Sequence, residues 1–486
     1  MDNTLSKLII NKDLLKTASF INGKWQGKLG RQNLEICNPA DGHIIASIPE
    51  VNEIEISEAI TGSLSAFNLW KNTSADTRAS ILKTWHNLIN DNRDDIATIM
   101  TIEQGKPLKE SLEEIKYGNA FVEWFAEEAK RIHGDIYPNN YGTNKYIGIK
   151  EPIGVTAAIT PWNFPFAMIT RKISPALAAG CTVILKPSEE TPLTALALAE
   201  LARQAGLPNG VLNVLVGNPE MIGEILCKNN TVRKLSFTGS TEIGKLLYKQ
   251  CAPSLKKLSL ELGGNAPFIV FQDADIQKAA ESLVAAKSRN TGQSCTNVNR
   301  VIVHQDVFDV FSKLVIDDYS KLEIAPGLDN KNQGPLINTK SVQKIENLVT
   351  EAIAHGAKIL YQSKKPSGQC FYPLTILESP TYDIKIAKEE IFGPVIVLYK
   401  FNDYDQMIQF ANNTNYGLAA YFFSNNNEII WNTMKNLEFA MIGINDFAIA
   451  SETIPFGGTK HSGFGYEGSK YGIEEYLHIK YCCLKT

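Results

Sequence analysis

Ile153-Gly154-Val155-Thr156-Ala157-Ala158-Ile159 is a run of small and branched apolar residues that reads as a buried strand. Phe166 to Ala179 follows as a helix, with Gly180 just past its end to close the last turn. Thr182-Val183-Ile184-Leu185 is a second strand. Thr191 suits the N-cap of the next helix, Pro192 its first turn and Gly206 its C-terminus. Val211 to Val216 reads as a third strand, and a short helix follows near Met221 to Lys228. Lys234 to Phe237 is a fourth strand, and another helix starts near Thr241. Strand and helix alternate, which specifies a parallel sheet wrapped by helices. Such sheets bind ligands beyond the C-terminal ends of their strands. Trp162-Asn163, Lys186-Pro187-Ser188-Glu189 and Gly239-Ser240 all fall at those ends.

A second α/β pattern begins near Ala266 to Val270 and continues past Cys295, with Val301 to Val303 and Val395 to Leu398 as further strands. The first 130 residues read mostly as helices after an Asn22-Gly23 hairpin. Tyr146 to Ile149 and Tyr476 to Tyr481 alternate like strands. The chain has no internal repeat and no low-complexity segment.

At 486 residues the chain exceeds what one hydrophobic core usually serves, so two or more domains are expected. Its net charge of -4 excludes the basic signature of a nucleic-acid binder. Met1 to Ile10 lacks a basic segment followed by a long apolar one, so no signal peptide is expected. No apolar run reaches membrane-spanning length. Eight scattered cysteines without metal-ligand spacing fit a reducing compartment, and the cytoplasm is the expected location. No metal is expected.

Three segments carry chemistry. Cys295 ends the polar loop Asn290-Thr291-Gly292-Gln293-Ser294, and a thiolate is a strong nucleophile. Most lone cysteines are small buried hydrophobes, but this one follows a glycine-containing polar loop. Glu261 stands beyond the strand Lys257 to Leu260, with Gly263-Gly264 allowing close backbone approach. Its alternative is a solvated strand end. Asn163 offers an amide donor, or simply caps a helix that Pro165 helps to start. A nucleophile, a carboxylate base and an amide donor together can attack a carbonyl, hold the oxyanion and activate water. Gly239-Ser240-Thr241-Glu242-Ile243-Gly244-Lys245-Leu246 nearly matches a triphosphate loop, but Leu246 stands where a magnesium-binding hydroxyl is needed.

Thr160-Pro161-Trp162-Asn163-Phe164-Pro165, Glu261-Leu262-Gly263-Gly264-Asn265 and the Cys295 loop, in this order, resemble the NAD(P)-dependent aldehyde dehydrogenase family. The resemblance runs from about Phe20 to the C-terminus. It implies two parallel-sheet α/β domains plus a small β oligomerisation segment. The implied divisions are 1–128 and 149–260 for the cofactor, 261–465 for catalysis, and 129–148 with 466–486 for assembly into a homodimer or homotetramer. Cys295 is the implied nucleophile, Glu261 the base for the deacylating water, and Asn163 the oxyanion donor. Thr160, Trp162, Asn163, Lys186, Ser188, Glu189, Gly239, Ser240, Leu262, Glu390 and Phe392 are implied to hold the cofactor. Phe237-Thr238-Gly239-Ser240 resembles the family's pyrophosphate turn at a helix N-terminus. Glu189 would accept from ribose hydroxyls and repel a 2′-phosphate, which favours NAD, with NADP the less favoured cofactor.

Within the family, the closest resemblance is to the members that oxidise succinate semialdehyde. It rests on Met168 to Lys172, Ser288-Arg289-Asn290 and the tail Glu467 to Tyr476. Arg171 and Arg289 are implied to hold a distal carboxylate, with Phe456 beside them, and guanidinium forks suit that task. Two guanidinium groups short of partners are therefore expected in one pocket. The expected carboxylate-binding serine is absent: Ala450 occupies its place, with Ser451 adjacent as the candidate substitute. That departure leaves glutarate semialdehyde or a general aliphatic aldehyde as alternatives. The expected second cysteine after the nucleophile is Asn297, so no redox pair forms there. A catalytically idle binding protein and a thiol esterase are the rival classes, and the retained triad opposes the first.

Overall fold

The first sheet is centred on Leu212–Val214, Thr182–Lys186, Val155–Ile159, Val232–Thr238 and Lys257–Glu261, in that spatial order and all parallel. Chain order reverses between Val155–Ile159 and Val232–Thr238, so the switch point opens beside Thr160 and Thr238. All five residues of Thr182–Lys186 are buried, as expected where helices cover both faces. The Asn22-Gly23 hairpin joins Ser19–Ile21 to Lys24–Gln26 and adds antiparallel to one edge, and Gly463–Phe464 adds to the other. The computed structural model describes residues 1, 3–27, 32–140 and 142–485; Asp2, Lys28–Arg31, Tyr141 and Thr486 lie outside them.

Helix Ala167–Ala179 is buried along its whole length, and Gly180 closes it at φ 95°. Its N-terminus has no local side-chain cap. Instead Glu114, from the helix Leu108–Glu128, accepts the Phe166 and Ala167 N–H groups at 2.9 and 3.1 Å. The next helix, Pro192–Gln204, repeats this arrangement. Thr191 stands at its N-cap, but its hydroxyl makes no capping bond. Glu103, from the helix Arg93–Gln104, accepts the Leu193 and Thr194 N–H groups at 2.7 and 2.8 Å. A carboxylate satisfies two orphan donors at once and complements the helix dipole. The tertiary partner therefore displaces the local cap that the sequence suggests. The N-terminal part is helical as expected, with one unanticipated antiparallel pair, Asn33–Cys37 with Ile44–Pro49.

The second sheet runs Lys358–Gln362, Thr375–Glu378, Val395–Phe401, Val298–His304, Ala266–Val270, Ala419–Phe423 and Met441–Ile444. It is parallel apart from its first pair. Residues 262–265 alone join Lys257–Glu261 of the first sheet to Ala266–Val270 of the second. The junction places the tips of both sheets against one another. Gly264 is needed there, because a Cβ would lie 2.2 Å from the Cys295 carbonyl oxygen. The third sheet pairs Leu477–Leu484 and Asp135–Tyr137 on either side of Lys145–Pro152, antiparallel throughout. No helix among the described residues is long and apolar enough to cross a membrane.

Candidate active site

A cavity of about 280 Å³ opens where the two larger sheets meet. It gathers Trp162, Asn163, Arg171, Gly239, Ser240, Leu262, Arg289, Cys295, Glu390, Phe392 and Phe456. Each of these was expected from sequence. Cys295 is half-buried on the loop before Val298–His304. Burial pushes its thiol up to about 12, and the Glu390 and Glu261 carboxylates add to that shift while Arg171 opposes it.

Asn163 has an unambiguous amide orientation. Its Oδ1 accepts the Phe164 N–H at 3.1 Å, and its Nδ2 donates to the Gln293 carbonyl at 3.1 Å. An amide nitrogen carries two hydrogens, so one remains to face the cavity. The sequence alternative, a helix cap, does not apply, since Glu114 serves the helix that follows.

Glu261 is buried at the end of its strand and does not line the cavity wall. Neither of its carboxylate oxygens has a hydrogen-bond partner among the described residues. Burial first, and then the charge of Glu467, hold its pKa well above the usual carboxylate range. Glu467 behaves oppositely. Burial alone would raise it, but Lys172 and Arg171 outweigh that effect and hold it low. Lys172 bonds to Oε1 of Glu467, and Arg171 Nη2 lies 2.7 Å from Oε2. The buried pair thus keeps one carboxylate ionised and the other primed to take up a proton.

The two arginines are not equivalent. Arg171 is ion-paired with Glu467, stacks on Phe456 at 4.0 Å, and donates to the Tyr117 hydroxyl at 3.5 Å. Arg289 is exposed in the cavity, packs on Phe164 at 4.9 Å, and has no carboxylate partner among the described residues. The expectation of two partnerless guanidinium groups is therefore corrected to one. Ser451 is also corrected: it does not line the cavity, and its hydroxyl bonds Glu452 and Thr453 instead. Ala450 is the residue that faces the cavity.

Residues expected to hold a dinucleotide lie along the strand tips. Lys186 and Glu189 form an ion pair at 2.6 Å, and the Ser188 hydroxyl accepts the Glu190 N–H. Ser240 caps the helix Thr241–Cys251, whose free N–H groups suit an anionic oxygen. Lys245 is exposed and, among the described residues, hydrogen-bonds His461, so the triphosphate-loop reading gains no support. Glu390 is fixed by the Gly264 N–H at 3.0 Å, and burial pushes it up to about 7. Trp162 and Phe392 meet edge to face at 5.6 Å. Thr160, just past the strand Val155–Ile159, and Thr238, at the end of the neighbouring strand, each bury a hydroxyl with no hydrogen-bond partner among the described residues. Orphaned donors in that position are what a bound polar ligand would satisfy, so these residues fit a nicotinamide dinucleotide.

Three residues in contact with this cluster escaped sequence reading. Tyr117 lies between the two arginines, and nothing in its helix marks it. Glu467 and Lys172 were visible only as members of longer motifs, with no signal that they would meet.

Residues 25–482 match the profile described as "Aldehyde dehydrogenase family". The chain is 48% identical over 477 residues to an Escherichia coli (strain K12) protein named succinate-semialdehyde dehydrogenase [NADP(+)], covering 98% of this chain and 99% of that one. It is 48% identical to a glutarate-semialdehyde dehydrogenase of Pseudomonas putida, covering 97% and 98%. A crystal structure of an NADP-dependent E. coli enzyme superimposes with a TM-score of 0.97 at 48% identity, covering 98% and 100%. The chain belongs to the aldehyde dehydrogenase family.

Proposed function

We propose that this protein oxidises succinate semialdehyde to succinate with NAD. The observation that carries the substrate reading is Arg289, a cavity-facing guanidinium with no carboxylate partner among the described residues. An aldehyde bearing a distal carboxylate supplies that partner, whereas a neutral aldehyde leaves the guanidinium fork without one. Apolar Phe164, Met168 and Phe456 line the same cavity and suit a short methylene chain.

The chemistry follows from the side chains. Cys295 gives its proton to solvent water, and the thiolate attacks the carbonyl carbon, so that a C–S bond forms as the C=O π bond breaks and the oxygen becomes an oxyanion. The free hydrogen of Asn163 Nδ2 stabilises that oxygen. A bound NAD would supply the acceptor for the hydride lost as the oxyanion collapses to a thioester. Glu261 then takes a proton from water, the resulting hydroxide attacks the thioester, and the C–S bond breaks to release the acid. A base held above the usual carboxylate range is well matched to water activation near neutral pH. Glu390, which lines the cavity with Cys295, would hold the nicotinamide ribose.

Glu189 supports NAD over NADP, since its carboxylate can accept from ribose hydroxyls and would repel a 2′-phosphate. The E. coli relative carries NADP in its name, so cofactor choice is where this chain is expected to part from it. A second reading, glutarate semialdehyde, is favoured by Ala450: its methyl leaves room where a serine was expected. Exposed Ile136, Ile479 and Tyr481 on the third sheet support assembly into a homodimer or homotetramer through residues 129–148 and 466–486. The two large sheets support the divisions 1–128 with 149–260 and 261–465, apart from Gly463–Phe464, which lies within 261–465 but joins the edge of the first sheet. Eight cysteines free of disulfides suit the cytoplasm. Assay of a panel of semialdehydes and neutral aldehydes, each with NAD and NADP, tests this reading. Preference for a neutral aldehyde would reject it.

A further inference from the structure

Asn290 lies in the loop before Cys295 and is fully buried. Its backbone sits at φ 49° and ψ 39°, and Thr291 follows at φ 55° and ψ 32°. Two successive non-glycine residues in the left-handed region are uncommon, and such strain persists where surroundings over-determine it. The surroundings here are specific. The Asn290 N–H donates to the Glu110 carboxylate at 2.6 Å. Its Oδ1 accepts Gln104 Nε2 at 3.1 Å. Its Nδ2 donates to the main-chain carbonyls of Asn163 at 2.8 Å and Gln293 at 3.2 Å.

Those two carbonyls matter because of Asn163. The first belongs to Asn163 itself, and the second is the acceptor that anchors Asn163 Nδ2. One side chain therefore fixes both the backbone and the amide of the oxyanion donor. On the other side Lys106 Nζ donates to the same Asn163 carbonyl at 2.8 Å, and is itself paired with Glu114 at 2.5 Å. Without the Asn290 amide, the Asn163 carbonyl would keep Lys106 and the Gln293 carbonyl would keep Asn163. Both oxygens would stay satisfied. What would be lost is the constraint on where the free Asn163 hydrogen points.

We propose that Asn290 is a positioning residue that aims the Asn163 amide at the oxyanion, using the left-handed backbone at 290 to bring its side chain onto both carbonyls. This rests on the oxyanion role given to Asn163 above. Glycine tolerates the same backbone angles without the amide. Asn290→Gly therefore removes the clamp while leaving the loop path open. Asn290→Asp is a second probe, since it keeps the acceptor for Gln104 but turns an oxygen toward two carbonyls.

The test is rapid-mixing measurement of NADH formation in the first turnover, with thiol titration of active sites. Wild type, Asn163→Ala, Asn290→Gly, Asn290→Asp and the Asn163→Ala/Asn290→Gly double variant are compared. Misplacing a reacting group by about 1 Å can cost roughly 10²-fold, so each Asn290 variant should slow the burst by about tenfold to 10²-fold. Burst amplitude per titrated thiol and KM for aldehyde and NAD should stay near wild type. The double variant should be little slower than Asn163→Ala alone, because both changes disable one donor. Full multiplication of the two losses would overturn the inference and leave the Asn163 assignment standing. A normal burst rate with reduced amplitude would overturn it too, since that marks a fold defect. If one Asn290 variant fails to fold, the other is read by the same criteria, and failure of both to fold would assign the residue to stability instead. A fully active Asn163→Ala would remove the oxyanion role and this inference together.

Discussion

Arg171 Nη2 lies 2.7 Å from Glu467 Oε2 in a buried ion pair, while Arg289 reaches the same cavity with no such partner among the described residues. The two arginines therefore answer differently to substitution. Arg289→Ala should raise KM for succinate semialdehyde and leave butanal nearly unaffected. A charge-assisted hydrogen bond is worth roughly 1.5–3 kcal/mol, or about one to two decades in kcat/KM. Arg171→Ala should lower thermal stability as well, because it strips one partner from a buried pair. Measuring kcat/KM and the thermal midpoint for both variants checks this. Identical behaviour in the two assays would contradict it.

The thiol of Cys295 is raised by burial first, and then by Glu390 and Glu261. Little thiolate is present at neutral pH in the free protein, and its share grows as pH rises. Alkylation of Cys295 by a neutral haloacetamide should accelerate by about tenfold per pH unit below the thiol pKa, since only the thiolate reacts. Glu390→Gln removes one of the negative charges, so it should lower the thiol pKa and speed alkylation at a fixed pH. A rate already level from pH 7 upward would contradict the reading.

Glu261 acts only after the thioester has formed. Glu261→Gln preserves the side-chain volume and removes the base. It should release NADH in a first-turnover burst and then stall, whereas Cys295→Ala should show no burst and still bind NAD. Normal steady-state turnover in Glu261→Gln would show that another group activates the water.

The alternation of strand and helix from Val155 to Thr241 was legible because each element carries its own apolar run and terminator. Gly180 and Gly206 stop their helices at φ 95° and 85° as their positions suggest. The caps of those helices were not legible. Glu114 meets Phe166 across 52 residues, and Glu103 meets Leu193 across 90, so no local pattern announces either contact. The gathering of Cys295, Asn163 and several residues expected at the cofactor around one cavity was legible from motifs that hold them on short loops. Arg171 was found without its partner, because Glu467 approaches from a segment 296 positions later in the chain. Ser451 failed for a finer reason. It differs from Ala450 by one position, and backbone direction alone decides which of two neighbours faces the cavity.

Glu189 pairs with Lys186 at 2.6 Å beside the strand tips. Wild type should show higher kcat/KM with NAD than with NADP. Glu189→Ser should weaken NAD use by about one to two decades, in line with the loss of a charged hydrogen bond, and improve NADP use. An unchanged cofactor ratio in the variant would remove Glu189 from the account.

The most direct test is kcat/KM of the wild-type protein for succinate semialdehyde against butanal, both with saturating NAD. The free Arg289 guanidinium should favour the semialdehyde by about one to two decades, as a single charge-assisted hydrogen bond to its carboxylate would give. Equal values for the two aldehydes would contradict the carboxylate pocket.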